Sequence, residues 1–593
     1  MLSGNEAIAH AAWAAGVAVA SAYPGTPSTE ILENIAKHHP DIYAEWAVNE
    51  KVAMEVAIGA SFAGARAITT MKHVGLNVAL DPLMTFAYIG ANGGLVVVCA
   101  DDPGMHSSQN EQDNRTLAKF ARIPMLEPSD SQECYDMTLL AFEISEEFGT
   151  PVILRTTTRI NHSSGIVDVG DFERKPRGER AYEKDMTRTV MVPMYARRQR
   201  VALEEKLGKL SDYSETTPLQ RIERGDASGQ KAFRSIGIIT SGISYQYARE
   251  AFPEASILRL GMTFPLPRKL IREFGGSVDK VYVIEEGDAY LEEQILAMGV
   301  AIEHPSISLR IGELSPDRIE RLAAEVHGTP PLKPKEAVGN LPARPPVLCP
   351  GCSHRGVFYA LNRLKATVMG DIGCYSLGAF PPLSAMDSIV CMGASIGNAH
   401  GMGKAGQTGR VAAIIGDSTF FHSGITGLLN IVYNRGSSTI IVLDNRTTAM
   451  TGHQDHPGTG RTLMGQETVE ASIEDVARGV GVKRVRVIDP YNLEETYNVL
   501  KEEIDSPEPS VIVSKRPCVL SLKARDIRQY SVDLDACKAC GACLKLGCPA
   551  IEIVDADPSD PKKRKVRINH VLCVGCGMCV QVCKFDAIKE ASL

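Results

Sequence analysis

Eight of the chain's fifteen cysteines fall between Cys537 and the end, in two runs whose spacing leaves few folds open. Cys537, Cys540, Cys543 and Cys548 form C-x2-C-x2-C-x4-C and are followed by Pro549. Cys573, Cys576, Cys579 and Cys583 form C-x2-C-x2-C-x3-C. Three cysteines at intervals of three wrap one turn around an iron–sulfur cubane, and the fourth of each run reaches the neighbouring cluster in two-cluster ferredoxins. That pairing predicts two [4Fe-4S] clusters. One takes Cys537, Cys540, Cys543 and Cys583; the other takes Cys573, Cys576, Cys579 and Cys548. Structural zinc is the competing reading, but it prefers two C-x2-C knuckles around a longer loop. Two departures stand out: an extra residue before Cys548, and Lys584 where the second motif usually has proline. Neither removes a ligand.

Clusters move one electron at a time, so the upstream chain has to supply electrons. Its 593 residues suit three to five domains, and a net charge of −8 argues against nucleic acid or an anionic membrane as a global partner. No window holds 18 consecutive apolar residues, so no membrane span is expected. Tight C-x2-C spacing belongs in a reducing cytoplasm rather than in a disulfide scaffold. The run "AIAHAAWAAGVAVASA" (7–22) imitates a secretory leader but lacks a basic flank and contains His10. An alanine-rich buried helix is expected there.

Apolar strands alternating with helices indicate an α/β chain with several doubly wound parallel sheets. In the first block (1–170), a small-residue helix over 50–67 precedes strands "AITTM" (67–71) and "NGGLVVVCADD" (92–102). A charged surface connection is expected over 171–232. A second block (233–329) carries "SIGIITSG", "ASILRLG" and "KVYVIEEG", and six prolines between 330 and 346 suggest a stiff linker. A third block (347–525) carries "RVAAIIGD", "STIIVLDN" and "PSVIVSKRPC", ahead of the cysteine-rich domain at 526–593. The basic run "PKKRKV" (561–566) is best read as a solvated loop, with docking of an acidic electron carrier as its functional alternative.

In the third block, strand 410–417 ends in Gly416-Asp417, and the next strand, 438–445, ends in Asp444-Asn445. Ligands at the carboxyl ends of adjacent parallel strands converge on one crevice. Asp417 offers a carboxylate, Asn445 an amide oxygen and Thr447 a carbonyl. Together they suit Mg2+ with octahedral positions left for diphosphate oxygens and water. The helix that follows Gly416 can aim its N-terminus at phosphate. The pattern resembles the thiamine diphosphate motif, G-D-G followed about thirty residues later by N. Ser418 replaces the second glycine and leaves the metal ligands intact.

Near the N-terminus, "AYPGTPSTE" (22–30) is followed by "WAVNEKVAMEVAIGASFAGARA". The arrangement resembles the pyruvate:ferredoxin oxidoreductase superfamily, whose pyrimidine domain carries a Y-P-x-T-P turn and then a coenzyme-activating glutamate. The resemblance implies that role for Glu50, and a substrate-contacting hydroxyl for Thr26. Read without it, Glu50 is a helix N-terminal acid facing the dipole and Thr26 a turn residue. In the same superfamily a C-P-G-C pair, a G-C and a late cysteine hold a cluster beside thiamine. By that resemblance Cys349, Cys352, Cys374 and Cys518 would hold a third [4Fe-4S] cluster. Cys99, Cys134 and Cys391 are expected to be buried small hydrophobes.

The strings "MKHVGLNVALDPLM", "DDPGMHSSQNEQDNR", "CPGCSHRG", "DIGCYSLGAFPPL" and "GDSTFFHSGI", with the tail, resemble the large (alpha) subunit family of indolepyruvate:ferredoxin oxidoreductases over essentially the full chain. The resemblance implies oxidative decarboxylation of arylpyruvates to aryl-acetyl-CoA, ferredoxin as acceptor, and a smaller beta subunit as partner in a heterodimer or its dimer. It also answers the question the tail poses. A 2-keto acid releases two electrons with its CO2, each cubane accepts one, and sequential transfer to ferredoxin resolves the mismatch. The rival classes are a non-oxidative thiamine enzyme, which has no use for the tail, a pure electron-transfer subunit, which has no use for the thiamine residues, and a relative specific for pyruvate or 2-oxoglutarate.

Overall fold

The computed structural model describes all residues except 171–173, 175–181, 183, 226–235, 304–309, 331–344, 407–408, 523–528, 557–563 and 592–593. Most of the proline-rich linker, parts of the charged connection and residues 561–563 of the basic run lie outside the described residues. The chain divides into two compact units, Met1–Gly339 and Asn340–Leu593. No helix among the described residues is long and apolar enough to cross a membrane.

The first unit holds two sheets. The larger has seven strands in the order Met262–Phe264, Met125–Leu126, Val152–Thr157, Leu95–Asp101, Ala67–Lys72, Val19–Ala22 and Tyr43–Trp46. All neighbours are parallel except Met262–Phe264, which runs antiparallel to Met125–Leu126. Strands 67–72, 95–101 and 152–157 are buried at every position, so their apolar residues are not confined to alternate positions. The smaller sheet orders Lys280–Ile284, Ile236–Ser241, Ser256–Leu260 and Gln220–Glu223, with only the last antiparallel.

Two expectations fail here. The alanine-rich stretch is helix only over Gly4–Ala14; Gly16 then takes a left-handed turn at φ 72°, and Val19–Ala22 is an inner strand. Small residues tolerate both states, so tertiary pairing with Ala67–Thr70 decides the outcome. The charged connection contains a helix, Pro193–Thr216, that buries Leu203 and Leu210. Its Lys206 donates to the Gly149 carbonyl at 2.7 Å, so the charges lie along a packed element.

The second unit is built on a five-stranded, all-parallel sheet ordered Thr367–Met369, Val411–Gly416, Thr439–Asp444, Ser510–Lys515 and Arg484–Ile488. Apolar clusters cover both faces, one around Phe358, Leu361 and Ile414, the other around Ile396, Phe420 and Ile431. The tail carries two antiparallel ribbons, Tyr530–Val532 with Ile588–Glu590 and Ile551–Ala556 with Arg564–Ile568.

Candidate active site and electron-transfer centres

In the first unit, the chain leaves strand Val19–Ala22 toward one sheet edge and strand Ala67–Lys72 toward the other. The crevice at their carboxyl ends is therefore the topological switch point where α/β sheets bind ligands. The turn after Ala22 carries Thr26, which is half-buried. It is pinned from below: the carbonyl of Pro27 accepts from Asn5 Nδ2 (2.9 Å) and Asn161 Nδ2 (3.2 Å), both of them buried. Glu50 opens the helix Glu50–Phe62, capped by Asn49, whose Oδ1 accepts from Val52 N at 2.9 Å. It is only 5% exposed. The helix after strand Ala67–Lys72 passes so close that a Cβ on Gly75 would sit 2.7 Å from Glu50 Cγ and 2.9 Å from Oε1.

The same crevice holds residues that the sequence did not single out. Lys72 Nζ donates to the Ser107 carbonyl (2.7 Å) and hydroxyl (3.1 Å) and lies 3.9 Å from Asp102 Oδ2. Burial holds its ammonium down to about 8, against the pull of Asp102. Asp102 in turn accepts from Ser107 N, Ser108 Oγ and Thr158 Oγ1. Ser107 Oγ reaches the Thr26 carbonyl at 3.5 Å. A lysine closing an otherwise uncharged, fully buried strand was the one signal that could have pointed here.

In the second unit, Asp417 and Asn445 follow adjacent strands. Asp417 is 3% exposed, and its carboxylate accepts from Ser418 N (2.8 Å), Asn445 N (3.2 Å), Arg446 N (2.8 Å) and His456 Nε2 (3.1 Å). Burial alone would raise its pKa; the His456 bond and charge outweigh that and lower it. Burial, then the charge of Asp417, push Asp444 up to about 6, against the pull of Arg446 and Lys515. Asn445 Oδ1 accepts from Thr447 N at 3.3 Å, and Thr448 Oγ1 donates to Ser418 Oγ at 3.0 Å. Tyr375 fills the space a side chain at Gly416 would need, 2.7 Å from the Cβ position. Among the described residues no three His, Cys, Asp or Glu side chains converge as on a single ion. A Mg2+ held by one carboxylate, an amide, a carbonyl and phosphate oxygens does not ask for that. His354, at 3.4 Å from Asn445 Nδ2 and held down to about 4 by burial, and His456 complete the crevice. Neither could be found from spacing, because their partners lie 91 and 39 residues away.

The cysteines gather into three sets. Cys537, Cys540, Cys543 and Cys583 line one cavity of the tail; Cys548, Cys573, Cys576 and Cys579 line another. Burial pushes the Cys543 thiol up to about 11, and Cys540, Cys537 and Cys583 add to it. Burial likewise pushes Cys579 up to about 12, reinforced by Cys576, Cys548 and Cys573. Four cysteine sulfurs around one cavity match the ligand demand of a [4Fe-4S] core, one thiolate per iron. In the third set Cys349 and Cys374 act on Cys352, held up to about 12 mainly by burial. Cys518 and Cys349 act on Cys374, which burial pushes to about 11. Cys518 N donates to the Asn445 carbonyl at 2.9 Å, which joins this set to the Asp417 crevice. Cys99 and Cys134 are buried, whereas Cys391 is exposed, because it precedes the helix Ala394–Lys404 on a surface turn.

Over 100% of its length the chain is 42% identical to the indolepyruvate oxidoreductase subunit IorA of Archaeoglobus fulgidus, covering 97% of that protein. It is 41% identical, again over its full length, to the same subunit of Pyrococcus abyssi, covering 96%. The chain belongs to the IorA family. A ketoisovalerate oxidoreductase subunit VorB from Methanothermobacter thermautotrophicus is more remote, at 24% identity over 50% of the chain and 88% of its own.

Family models map onto the same regions of this IorA-family chain. Residues 10–207 match the thiamine diphosphate-binding model of pyruvate flavodoxin/ferredoxin oxidoreductases, and residues 371–514 the C-terminal TPP binding domain of thiamine pyrophosphate enzymes. Residues 526–587 match the 4Fe-4S dicluster domain, which encloses all eight tail cysteines. The chain is therefore a thiamine-dependent oxidoreductase subunit carrying iron–sulfur clusters, with α/β thiamine-binding folds ahead of a ferredoxin-type domain.

Proposed function

We propose that this chain catalyses ferredoxin-dependent oxidative decarboxylation of indolepyruvate and related arylpyruvates to the aryl-acetyl-CoA, in a reducing cytoplasm and in complex with a smaller beta subunit. The reading is carried by the full-length identity to relatives named for indolepyruvate, against half-length, 24% identity to one named for ketoisovalerate. Thiamine diphosphate supplies a carbanion at its thiazolium carbon and an electron sink for the decarboxylation.

In this reading Glu50, buried at the switch point, would hydrogen-bond the aminopyrimidine and favour its imino tautomer, the form that takes the proton from the thiazolium carbon. Thr26 turns its hydroxyl to the 2-keto acid. Asp417, Asn445 and the Thr447 carbonyl hold Mg2+ against the diphosphate, with Gly416 and Ser418 letting the phosphate approach the strand end. Three [4Fe-4S] clusters fill the three cysteine sets. A cluster on Cys349, Cys352, Cys374 and Cys518 would stand first in line for electrons, because Cys518 N is hydrogen-bonded to the Asn445 carbonyl. The tail passes them to ferredoxin.

The test is viologen or ferredoxin reduction by the purified complex with CoA and a panel of 2-keto acids. Indolepyruvate and phenylpyruvate should be turned over; reduction by pyruvate but by neither arylpyruvate would overturn the assignment. Asp417→Ala should lose bound thiamine diphosphate and Mg2+ while keeping tail iron; loss of both would mean misfolding rather than a metal ligand removed. Iron near twelve per chain supports three clusters. Iron near eight, unchanged in Cys518→Ala, removes the third.

A further inference from the structure

Arg355 opens the helix Arg355–Leu364 and is 1% exposed. A buried guanidinium is costly unless paired, and a cation at a helix N-terminus also opposes the dipole. The other deeply buried arginines meet carboxylates: Arg115 reaches Asp113 and Glu285, Arg155 reaches Asp101 and Glu127, and Arg259 reaches Glu133. Arg355 makes no ion pair among the described residues. Its Nη1 donates to the Leu546 carbonyl (2.6 Å) and its Nη2 to the carbonyls of Leu348 (2.7 Å) and Cys349 (2.8 Å). Its Nε has no hydrogen-bond partner among the described residues. Such a residue needs an anion, and it lines the cavity that Cys548, Cys573, Cys576 and Cys579 enclose.

We propose that Arg355 is the built-in counter-charge of the cluster held by Cys548, Cys573, Cys576 and Cys579, raising that cluster's affinity for an electron delivered from the set that includes Cys349. The proposal rests on the cluster assignments above. Four thiolates around an iron–sulfide core make a net anion, and reduction adds one more negative charge. A fixed cation therefore stabilises the reduced state more than the oxidised state, and net charge and hydrogen bonds to sulfur set such potentials. The free Nε–H can also donate to sulfur. The outer tail cavity, of Cys537, Cys540, Cys543 and Cys583, is lined by a solvent-exposed cation, Lys538, whose charge water and salt screen, and by no buried one. Arg355 thus distinguishes two otherwise similar clusters and makes the inner one the better electron acceptor.

The experiment is an EPR-monitored redox titration of the purified complex, comparing wild type with Arg355→Gln and Arg355→Lys. In Arg355→Gln the equilibrium constant for reducing the inner tail cluster should fall at least tenfold, a downward shift of about 59 mV for a one-electron couple. Arg355→Lys, which keeps the charge, should stay within about threefold of wild type, and the outer cluster should not move in either. An unmoved potential in Arg355→Gln, or equal shifts in Gln and Lys, would overturn the proposal and leave Arg355 a clamp for the Leu348–Cys349 loop. If Arg355→Gln fails to assemble, wild-type complex labelled with 15N-arginine decides. Pulsed EPR of the reduced inner cluster should show coupling to a guanidinium nitrogen, and its absence would overturn the proposal. Iron analysis separates the two levels: a cavity without a cluster sinks the cluster assignment and this proposal together, whereas a loaded cavity with an unmoved potential sinks only the role of Arg355.

Discussion

Glu50 is placed by what is missing beside it. Gly75 supplies the space, since any Cβ there would lie within 3.0 Å of Glu50 Cγ, Glu50 Oε1 and Met71 Cβ. Met71 is fully enclosed and its Cβ is fixed to the strand backbone, so the longer Glu50 side chain is the one that a new Cβ would displace. Gly75→Ala should therefore displace Glu50 by a fraction of an ångström to an ångström without opening a cavity. Misplacement on that scale costs on the order of 10²-fold in rate. The expected outcome is a kcat for 2-keto-acid-dependent viologen reduction about a hundredfold below wild type, with iron content and melting temperature retained. Activity within about twofold of wild type would mean that Glu50 has room to spare and that its exact position does not matter.

Between the two sheets of the first unit lies a cluster of buried charges. Arg115 joins Asp113 and Glu285 (2.8 Å), and Arg155 joins Asp101 (2.7 Å) and Glu127 (2.9 Å). Glu286 sits beside them with Oε1 accepting from Leu314 N at 2.7 Å, and burial pushes it up to about 7. In the folded state Glu286 keeps its proton to about pH 7, while the unfolded chain releases it near the ordinary 4.5. Between those values the native state binds more protons, so its contribution to stability is full below about 4.5 and is lost as pH rises through 7. Glu286→Gln keeps an acceptor for Leu314 N and has no proton to lose. The unfolding free energy of Glu286→Gln relative to wild type should rise from pH 5 to pH 8, by a ceiling of about 3 kcal/mol at about 1.36 kcal/mol per pKa unit. Urea unfolding at the two pH values measures it, and a flat difference would place the titration elsewhere. Such elements show where sequence reading stops. Fully buried strands such as Leu95–Asp101 and Thr439–Asp444 are legible because each is an apolar run closed by an aspartate, and the tail cysteine sets because their spacing is local. Val19–Ala22 and Pro193–Thr216 were hidden, one by small residues that suit either state, the other by charge on a helix that buries only two leucines and a serine. Lys72, Arg355 and His456 escaped because what defines each is a partner distant in sequence.

Across the second unit, the candidate centres lie next to one another. The Asn445 carbonyl accepts from Cys518 N, Cys518 neighbours Cys374, and Cys374 neighbours Cys349. The Cys349–Cys352 loop then meets the tail at Gly351, whose φ of +65° is left-handed and whose carbonyl accepts from Tyr491 Oη. A Cβ at Gly351 would lie 2.1 Å from Val574 Cγ2 and 3.6 Å from Cys576 Cβ, so the loop rests directly on the inner tail set. Electron tunnelling falls steeply with separation, and this contact brings the loop of one set against the other. Gly351→Ala should force the loop and Val574 apart, since a β-branched side chain cannot swing clear and the left-handed backbone resists a side chain. Reduction of the tail clusters by 2-keto acid, followed by rapid freeze-quench EPR, should slow by at least about tenfold at unchanged iron and thiamine content. Gly351→Ala combined with Val574→Ala, which removes the obstructing methyl, should recover much of the rate, as coupled neighbours do in a double-mutant cycle. A single variant as fast as wild type would mean that electrons enter the tail by another route, and a double variant no faster than the single would assign the loss to backbone strain at Gly351 instead.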